Sequence, residues 1–309
     1  SVIAASGTLA QIIPPSLVLI VLADQLGRSV GDMYLGAIGP SILQVLIFLG
    51  YIALLSVMKP QMMPPLPKEV RGDLNWALVK QVLMGIIPSI VLIFLVLGTI
   101  FLGLATPTEA GALGVVGAMV LAAMHRRLTW QLIRQAMTST SHLTVMVVFI
   151  LIGATVFSLI FQGMDGGHWI EYMLSHVPGG PIGFLIFVNI FIFFIAFFLD
   201  FFEIAFIIVP LLVPAAEALG INIVWFGVLL GANIQTSFMH PPFGFALFFL
   251  RSVAPKNPYK DKVTGRMMEP VTTGQIYWGS VPFVVIQLIM VALVVLFPQM
   301  VMHYKSSAV

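Results

Sequence analysis

The chain has 309 residues, of which 60% are hydrophobic and only 8% charged, 14 basic against 12 acidic. A soluble domain carries charge on about a quarter of its residues and could not cover this much apolar surface, so lipid is the solvent for much of the chain. That excludes disordered linkers, nucleic-acid binders and ordinary cytosolic enzymes; the formal charge of +2 implies no polyanionic partner, and the absence of cysteine excludes disulfides, thiol nucleophiles and thiolate metal sites.

Along the chain, spans are sought as charge-free windows, because a helix needs about 20 apolar residues to cross the hydrocarbon. Ser1–Ala23 is apolar but interrupted by Gly7 and Pro14-Pro15. Met33–Met58 predicts a continuous transmembrane helix, followed by a loop with Lys59, Lys68, Arg71 and Lys80. Gln81–Thr106 and the shorter Ala110–Met124 predict two more. Thr106-Pro107-Thr108-Glu109 has the spacing of a capping box with proline at the first helical position, so Glu109 reads as a cap before an ion site. Gly111, Gly114 and Gly117 form a small-residue face suited to close helix packing. A second basic group, Arg126, Arg127 and Arg134, precedes the span Gln135–Phe161. Gln162–Pro181 holds Asp165 and Glu171 but no Lys or Arg. His125–Gln135 and His168–His176 each predict an amphipathic helix in the headgroup plane. Ile182–Leu219 is interrupted by Asp200 and Glu203 and carries Pro210 and Pro214; Asn222–Leu250 is interrupted by Pro241-Pro242 and Gly244. A third basic loop, from Arg251 to Arg266, leads into the last span, Ile276–Met302. With basic loops inside, Met33–Met58 runs outside to inside, Gln162–Pro181 lies outside and the last span ends outside.

The two diproline breaks are related. SVIAASGTLAQIIPPSLVLIVLAD and VLLGANIQTSFMHPPFGFALFFLRS each place small and hydroxyl residues before Pro-Pro and an apolar half-helix after it, 227 residues apart. Each is followed by one continuous span, and the two spans exit on opposite sides. This is the pattern of an inverted repeat, the usual secondary-transporter design. About 160 residues separate Gln81 from Pro241, whereas Pro14 stands near the start, so the first repeat is expected to lack roughly 145 residues.

Helices broken at mid-membrane persist where they line a site. Pro15 and Pro242 are expected to open new half-helices whose positive dipole ends suit a carboxylate. The oxygens of Ser6, Thr8, Asn233, Thr236 and Ser237 suit Na⁺, or else they only satisfy backbone groups freed by the breaks. Asp200 and Glu203, at i and i+3, form either a hairpin tip within the membrane or a turn between two full spans; the short, proline-bearing second arm favours the re-entrant form. No histidine has metal-ligand spacing, and no Walker, GxSxG or HExxH sequence occurs.

At these motifs the chain resembles the large membrane subunit of TRAP (tripartite ATP-independent periplasmic) transporters. AASGTLAQIIPPS at 4–16, ATPTEAGA at 105–112, FLDFFEIAFIIVPLLVP at 198–214 and WFGVLLGANIQTSFMHPPFGFALFFLRSVAP at 225–255 carry the resemblance. The last two look most like the branch labelled mannitol/chloroaromatic compound transporters. The resemblance implies a bacterial inner-membrane permease importing an organic anion with Na⁺ by an elevator motion. Its implied partners are a periplasmic solute-binding protein and a small membrane subunit. It maps Na⁺ positions onto Ser6, Gly7, Pro14, Pro15 and Ser16, and onto Asp200, Thr236, Pro241, Pro242 and Gly244, with Thr8 beside them. Substrate contacts are expected at Ser16, Asn233, Glu203 and Gly244. His240 stands where the family usually has a hydroxyl residue, and Ala10 where it commonly has glycine.

The expected architecture is thus an all-α polytopic membrane protein with a re-entrant hairpin, broken helices and an incomplete first repeat. Its expected segments are 1–32, the end of the first repeat; 33–181, scaffold and arm helices; 182–253, hairpin and second broken helix; and 254–309, a cytoplasmic loop and final scaffold helix. The expected function is Na⁺-coupled import without catalysis; a passive channel or scaffold subunit is the alternative. A membrane-embedded enzyme using Asp200 and Glu203 lacks an accompanying nucleophile or cofactor motif.

Overall fold

A chain in hydrocarbon must satisfy its backbone internally, and the computed structural model of this one is built almost wholly of helices. It describes residues 1–62, 75–241, 244–261 and 265–303. In chain order the helices are α1 (Val2–Thr8), α2 (Leu17–Gln25), α3 (Val30–Met58), α4 (Trp76–Phe101), α5 (Pro107–Met124), α6 (Trp130–Gly163), α7 (Gly166–Ser175), α8 (Gly180–Ile195), α9 (Phe201–Glu203), α10 (Val209–Ala218), α11 (Ile223–Ile234), α12 (Phe245–Val253), α13 (Thr273–Leu296) and α14 (Gln299–Met302). Two strands of two residues each, Tyr259–Lys260 and Met267–Met268, pair antiparallel. Six helices among the described residues are long and apolar enough to cross a membrane. The protein is an all-α, multi-pass membrane protein.

The chain divides into two compact units, Ser1–Pro65 with Ile152–Val309, and Leu66–Leu151. In the first, α1 packs on α12 and α2 on α11. Gly231 lies against Leu19 and Leu22, and Gly227 against Leu26 and Met33, so α2 and α11 run antiparallel. Helices α3 and α13 are also antiparallel: Phe48 meets Phe283 edge-on at 5.3 Å, while Gly36, three turns earlier, faces Val301 beyond the end of α13. Helices α3 and α13, expected as scaffold, bury Tyr34, Gln44, Ile286 and Gln287 alongside the broken helices.

In the second unit, α4 and α5 are antiparallel, with Gly114 facing Val96 and Gly117 facing Leu92. Of the small-residue face expected from Gly111, Gly114 and Gly117, the last two are the surface of contact, whereas a Cβ on Gly111 would meet open space. Thr106 and Glu109 form the expected capping box: Thr106 Oγ1 accepts from Glu109 N–H, and Glu109 Oε2 accepts from Thr106 N–H at 2.7 Å. Helix α4 starts at Trp76, five residues before the expected span, because Asn75 Oδ1 caps it through Leu78 N–H at 2.8 Å. The amphipathic helix expected over His125–Gln135 does not form. Arg126 has φ 55°, and Thr129 Oγ1 accepts from Leu132 N–H to open α6 directly. The other one does form as α7, with Trp169 and Tyr172 exposed and Leu174 buried.

Candidate functional site

Both broken helices of the first unit follow one local plan. Helix α1 tightens into a 3₁₀ turn over Leu9–Gln11, and α11 into one over Gln235–Met239. A diproline break and a nine-residue helix follow in each case, α2 after the first and α12 after the second. The new helices start at Leu17 and Phe245, not at Pro15 and Pro242 as expected. Ser16 is the N-cap of α2, accepting from Leu19 N–H at 3.1 Å, and Gly244 is the N-cap of α12. Pro15 therefore precedes the cap; it cannot supply the side-chain oxygen that a capping residue provides.

The backbone groups freed at the first break find side-chain partners, as they must away from water. Gln235 Nε2 donates to the Thr8 carbonyl at 3.0 Å, Ser41 Oγ to the Ile12 carbonyl at 3.0 Å and Tyr34 Oη to the Ser16 carbonyl at 3.4 Å. Ser16 Oγ also donates to the Gln11 carbonyl. Thr8 and Gln235 are 227 residues apart, the same interval as the two diprolines, so equivalent positions of the two breaks touch. Gln287 Nε2 on α13 donates to Thr8 Oγ1 at 3.0 Å. Gln44 on α3 lies one turn from Phe48, as Gln287 lies one turn from Phe283, which sets these two buried amides at one level of the antiparallel pair. The whole Gln44 amide and the Oε1 atoms of Gln235 and Gln287 have no hydrogen-bond partner among the described residues.

The second break is tied to α8 and to the residues just after it. His240, buried just before the diproline, stacks on Phe197 with centroids 4.2 Å apart and meets Phe193 edge-on at 4.5 Å. Asn233 Nδ2 donates to the carbonyl of Asn189 on α8 at 2.8 Å and to its side-chain oxygen at 2.9 Å. A Cβ on Gly244 would come within 2.8 Å of the carbonyl oxygens of His240 and Phe238, so only glycine lets the backbone approach itself there.

Beyond α8, Asp200 and Glu203 form a capping box. Asp200 Oδ1 accepts from Glu203 N–H and Glu203 Oε2 from Asp200 N–H, each at 3.1 Å. The chain then passes through a π turn, Ile204–Ile208, into α10. Pro210 accounts for the π turn: it has no N–H for a bond to Phe206, and its ring crowds that carbonyl. Asp200, Glu203 and Ser237 line one cavity of about 230 Å³ with Phe198, Phe238 and Phe245.

The expected site residues thus fall into separate settings. Asp200 and Glu203 line one cavity with Ser237, and Gly244 N–H donates to the His240 carbonyl at 2.6 Å. Thr8 lies in the buried amide cluster, where Gln235 and Gln287 converge. Thr236 is buried, with its hydroxyl donating to the Asn233 carbonyl within its own helix at 2.8 Å. Ser6 and Gly7 are exposed, Ser6 donating to the Ile3 carbonyl at 3.0 Å. Pro14 is half-buried, Pro15 and Pro241 are exposed, and Pro242 lies outside the described residues. The cis bond of the first pair is Pro14-Pro15. For Thr8, Ser16 and Thr236 the geometry is that of side chains satisfying backbone groups. Sequence reasoning passed over Gln44, Gln235, Gln287, Asn189, Tyr34 and Ser41; an amide inside an apolar span was the available signal for four of them.

The comparisons with known proteins agree on one family. Residues 1–300 match the profile described as "Tripartite ATP-independent periplasmic transporter, DctM component". Among similar proteins, the C4-dicarboxylate TRAP transporter large permease protein DctM of Pseudomonas aeruginosa is 27% identical over 250 residues, 80% of this chain and 57% of its own. The ectoine TRAP transporter large permease protein TeaC of Halomonas elongata is 26% identical over 304 residues, 98% of this chain and 66% of its own. The sialic acid TRAP transporter large permease protein SiaM of Vibrio cholerae is 26% identical over 299 residues, 96% of this chain and 64% of its own. The chain therefore spans between 57% and 66% of the length of these relatives.

Proposed function

Since the chain belongs to the DctM family of tripartite ATP-independent periplasmic transporters, we propose that it forms the larger part of a Na⁺-coupled permease that imports a small organic anion. It is a multi-pass protein of the bacterial inner membrane. In this reading a periplasmic solute-binding protein delivers the substrate and a small membrane subunit completes the complex. The relatives' substrates, C4-dicarboxylates, sialic acid and ectoine, support a small polar solute with a carboxylate.

The observation that carries the reading is the pair of antiparallel broken helices whose equivalent residues, Thr8 and Gln235, touch at the breaks. A pair of this kind presents two helix N-termini, those of α2 and α12, within the membrane, where partial positive charge favours a carboxylate. The hairpin tip adds the opposite charge. Asp200 and Glu203 repel an incoming anion until a cation neutralises them, so Na⁺ bound at Asp200 would make anion binding conditional on Na⁺. The remaining Na⁺ candidates around the breaks, and the substrate contacts at Ser16, Asn233, Glu203 and Gly244, belong to the same proposal.

The test is uptake by the full-length permease reconstituted with its small subunit and binding protein. Saturable uptake should collapse without an inward Na⁺ gradient; uptake driven equally by ATP or a proton gradient alone sinks the proposal. Asp200→Asn keeps a capping oxygen while removing the charge, so it should fold normally and lose Na⁺ activation. Unchanged Na⁺ activation would reduce Asp200 to a helix cap.

A further inference from the structure

The second unit contains a cavity that the transport reading does not use. It measures about 610 Å³ and opens between the start of α4 and the end of α5, within the size range of small-molecule sites. Its place follows from the packing. Gly117 against Leu92 and Gly114 against Val96 close the helices tightly at one end. Eight residues further along the same antiparallel register, about two turns, Met84 comes level with His125, and there Leu83, Met84 and Met124 line the cavity. The walls are apolar, with Leu83, Met84 and Ile87 among them, while Lys80 and His125 stand on the lining with Trp76.

Two further observations bear on what fills it. Between residues 75 and 134 the basic residues are Lys80, Arg126, Arg127 and Arg134, all at this end of α4, α5 and α6. The sole acidic residue in that stretch, Glu109, is at the opposite end of α5 and is bonded to Thr106. The tryptophans Trp76 and Trp130, 77% and 76% exposed, mark the same end as the level of the headgroups, where exposed indole rings settle. An apolar cleft opening at headgroup level beside Lys80, Arg126 and Arg127 matches one chemistry: an acyl chain below a negatively charged phosphate.

We infer that the α4–α5 cavity is a binding site for an anionic phospholipid of the leaflet facing the basic loops. Its acyl chain lies along Leu83, Met84 and Ile87, and its headgroup phosphate is held by Lys80 with Arg126 beside it. A zwitterionic headgroup would add a positive group next to these basic residues and gain less. The inference is independent of Na⁺ coupling and of the substrate.

The test uses the full-length permease in nanodiscs holding equal amounts of phosphatidylglycerol and phosphatidylcholine, with retained lipid counted by native mass spectrometry after transfer to detergent. Phosphatidylglycerol should be retained in preference, and Lys80→Gln should weaken that retention about fivefold. Ile87→Trp, which changes no charge, should expel the lipid by filling the wall. Equal retention of the two lipids overturns the inference, as does phosphatidylglycerol retention unchanged in both variants. In the complex with the small subunit, a photocrosslinker at Met84 should capture lipid; capture of the small subunit instead would assign the cavity to that protein and overturn the lipid site.

Discussion

Single side chains at the breaks are constrained by the backbone around them. Gly244 is the sharpest case, because the atoms a Cβ would meet are main-chain carbonyls that cannot rotate away. Gly244→Ala is expected to cost about 1–3 kcal/mol through overpacking, read as a lower melting midpoint of the purified full-length protein; an unchanged midpoint would show that the turn can open. Asn189 presents a milder case. Asn189→Ala removes the side-chain acceptor of Asn233 but leaves the backbone one, so a loss of only about 0.6 kcal/mol is expected. A loss several times larger would mean that the amide pair holds α8 against α11. The Asp200–Glu203 box shows how a local rule goes unread. The same S/T/D-x-x-E logic that identified Thr106–Glu109 applies to DFFE, but a carboxylate pair in an apolar stretch draws attention to its charge first. Both roles use the same atoms only in part, since each carboxylate gives one oxygen to the cap.

At the scale of elements, the α4–α5 seam and the broken helices depend on opposite devices. The seam closes because Gly114 and Gly117 remove side chains from one helix face, and apolar packing in lipid rewards close approach. Gly117→Leu should separate the pair, since even a Cβ there collides with Leu92. Adding Leu92→Ala should recover most of the lost thermal stability in a double-mutant cycle. Strict additivity of the two changes would remove Gly117 from that contact. The broken helices instead persist because polar side chains replace the missing backbone bonds. This element was half legible in the sequence. The diprolines located the breaks, but the helix starts moved to Leu17 and Phe245, because a cap needs an oxygen or a free backbone, which Ser16 and Gly244 supply and proline does not.

For the whole molecule, the basic loops and the inverted pair make a sidedness prediction that the chain is well suited to test, since it has no cysteine. In the full-length protein, Lys256→Cys should react with a membrane-impermeant maleimide from the cytoplasmic side only, and Gly167→Cys from the periplasmic side only. Reaction of both from one side would overturn the assigned topology. The antiparallel contacts of α2 with α11 and of α3 with α13 are the packing counterpart of that inversion.

Membrane class, the approximate spans, the two breaks and their kinship were determined by the sequence alone, because hydropathy, charge-free length and proline act through local covalent chemistry and the solvent. The tertiary structure decided what the breaks touch: Thr8 against Gln235 and Gln287, His240 between Phe193 and Phe197, and Gln44 level with Gln287. Those contacts join residues up to 279 positions apart. No local pattern encodes such partners; they follow from the antiparallel packing of helices around backbone groups that water cannot reach.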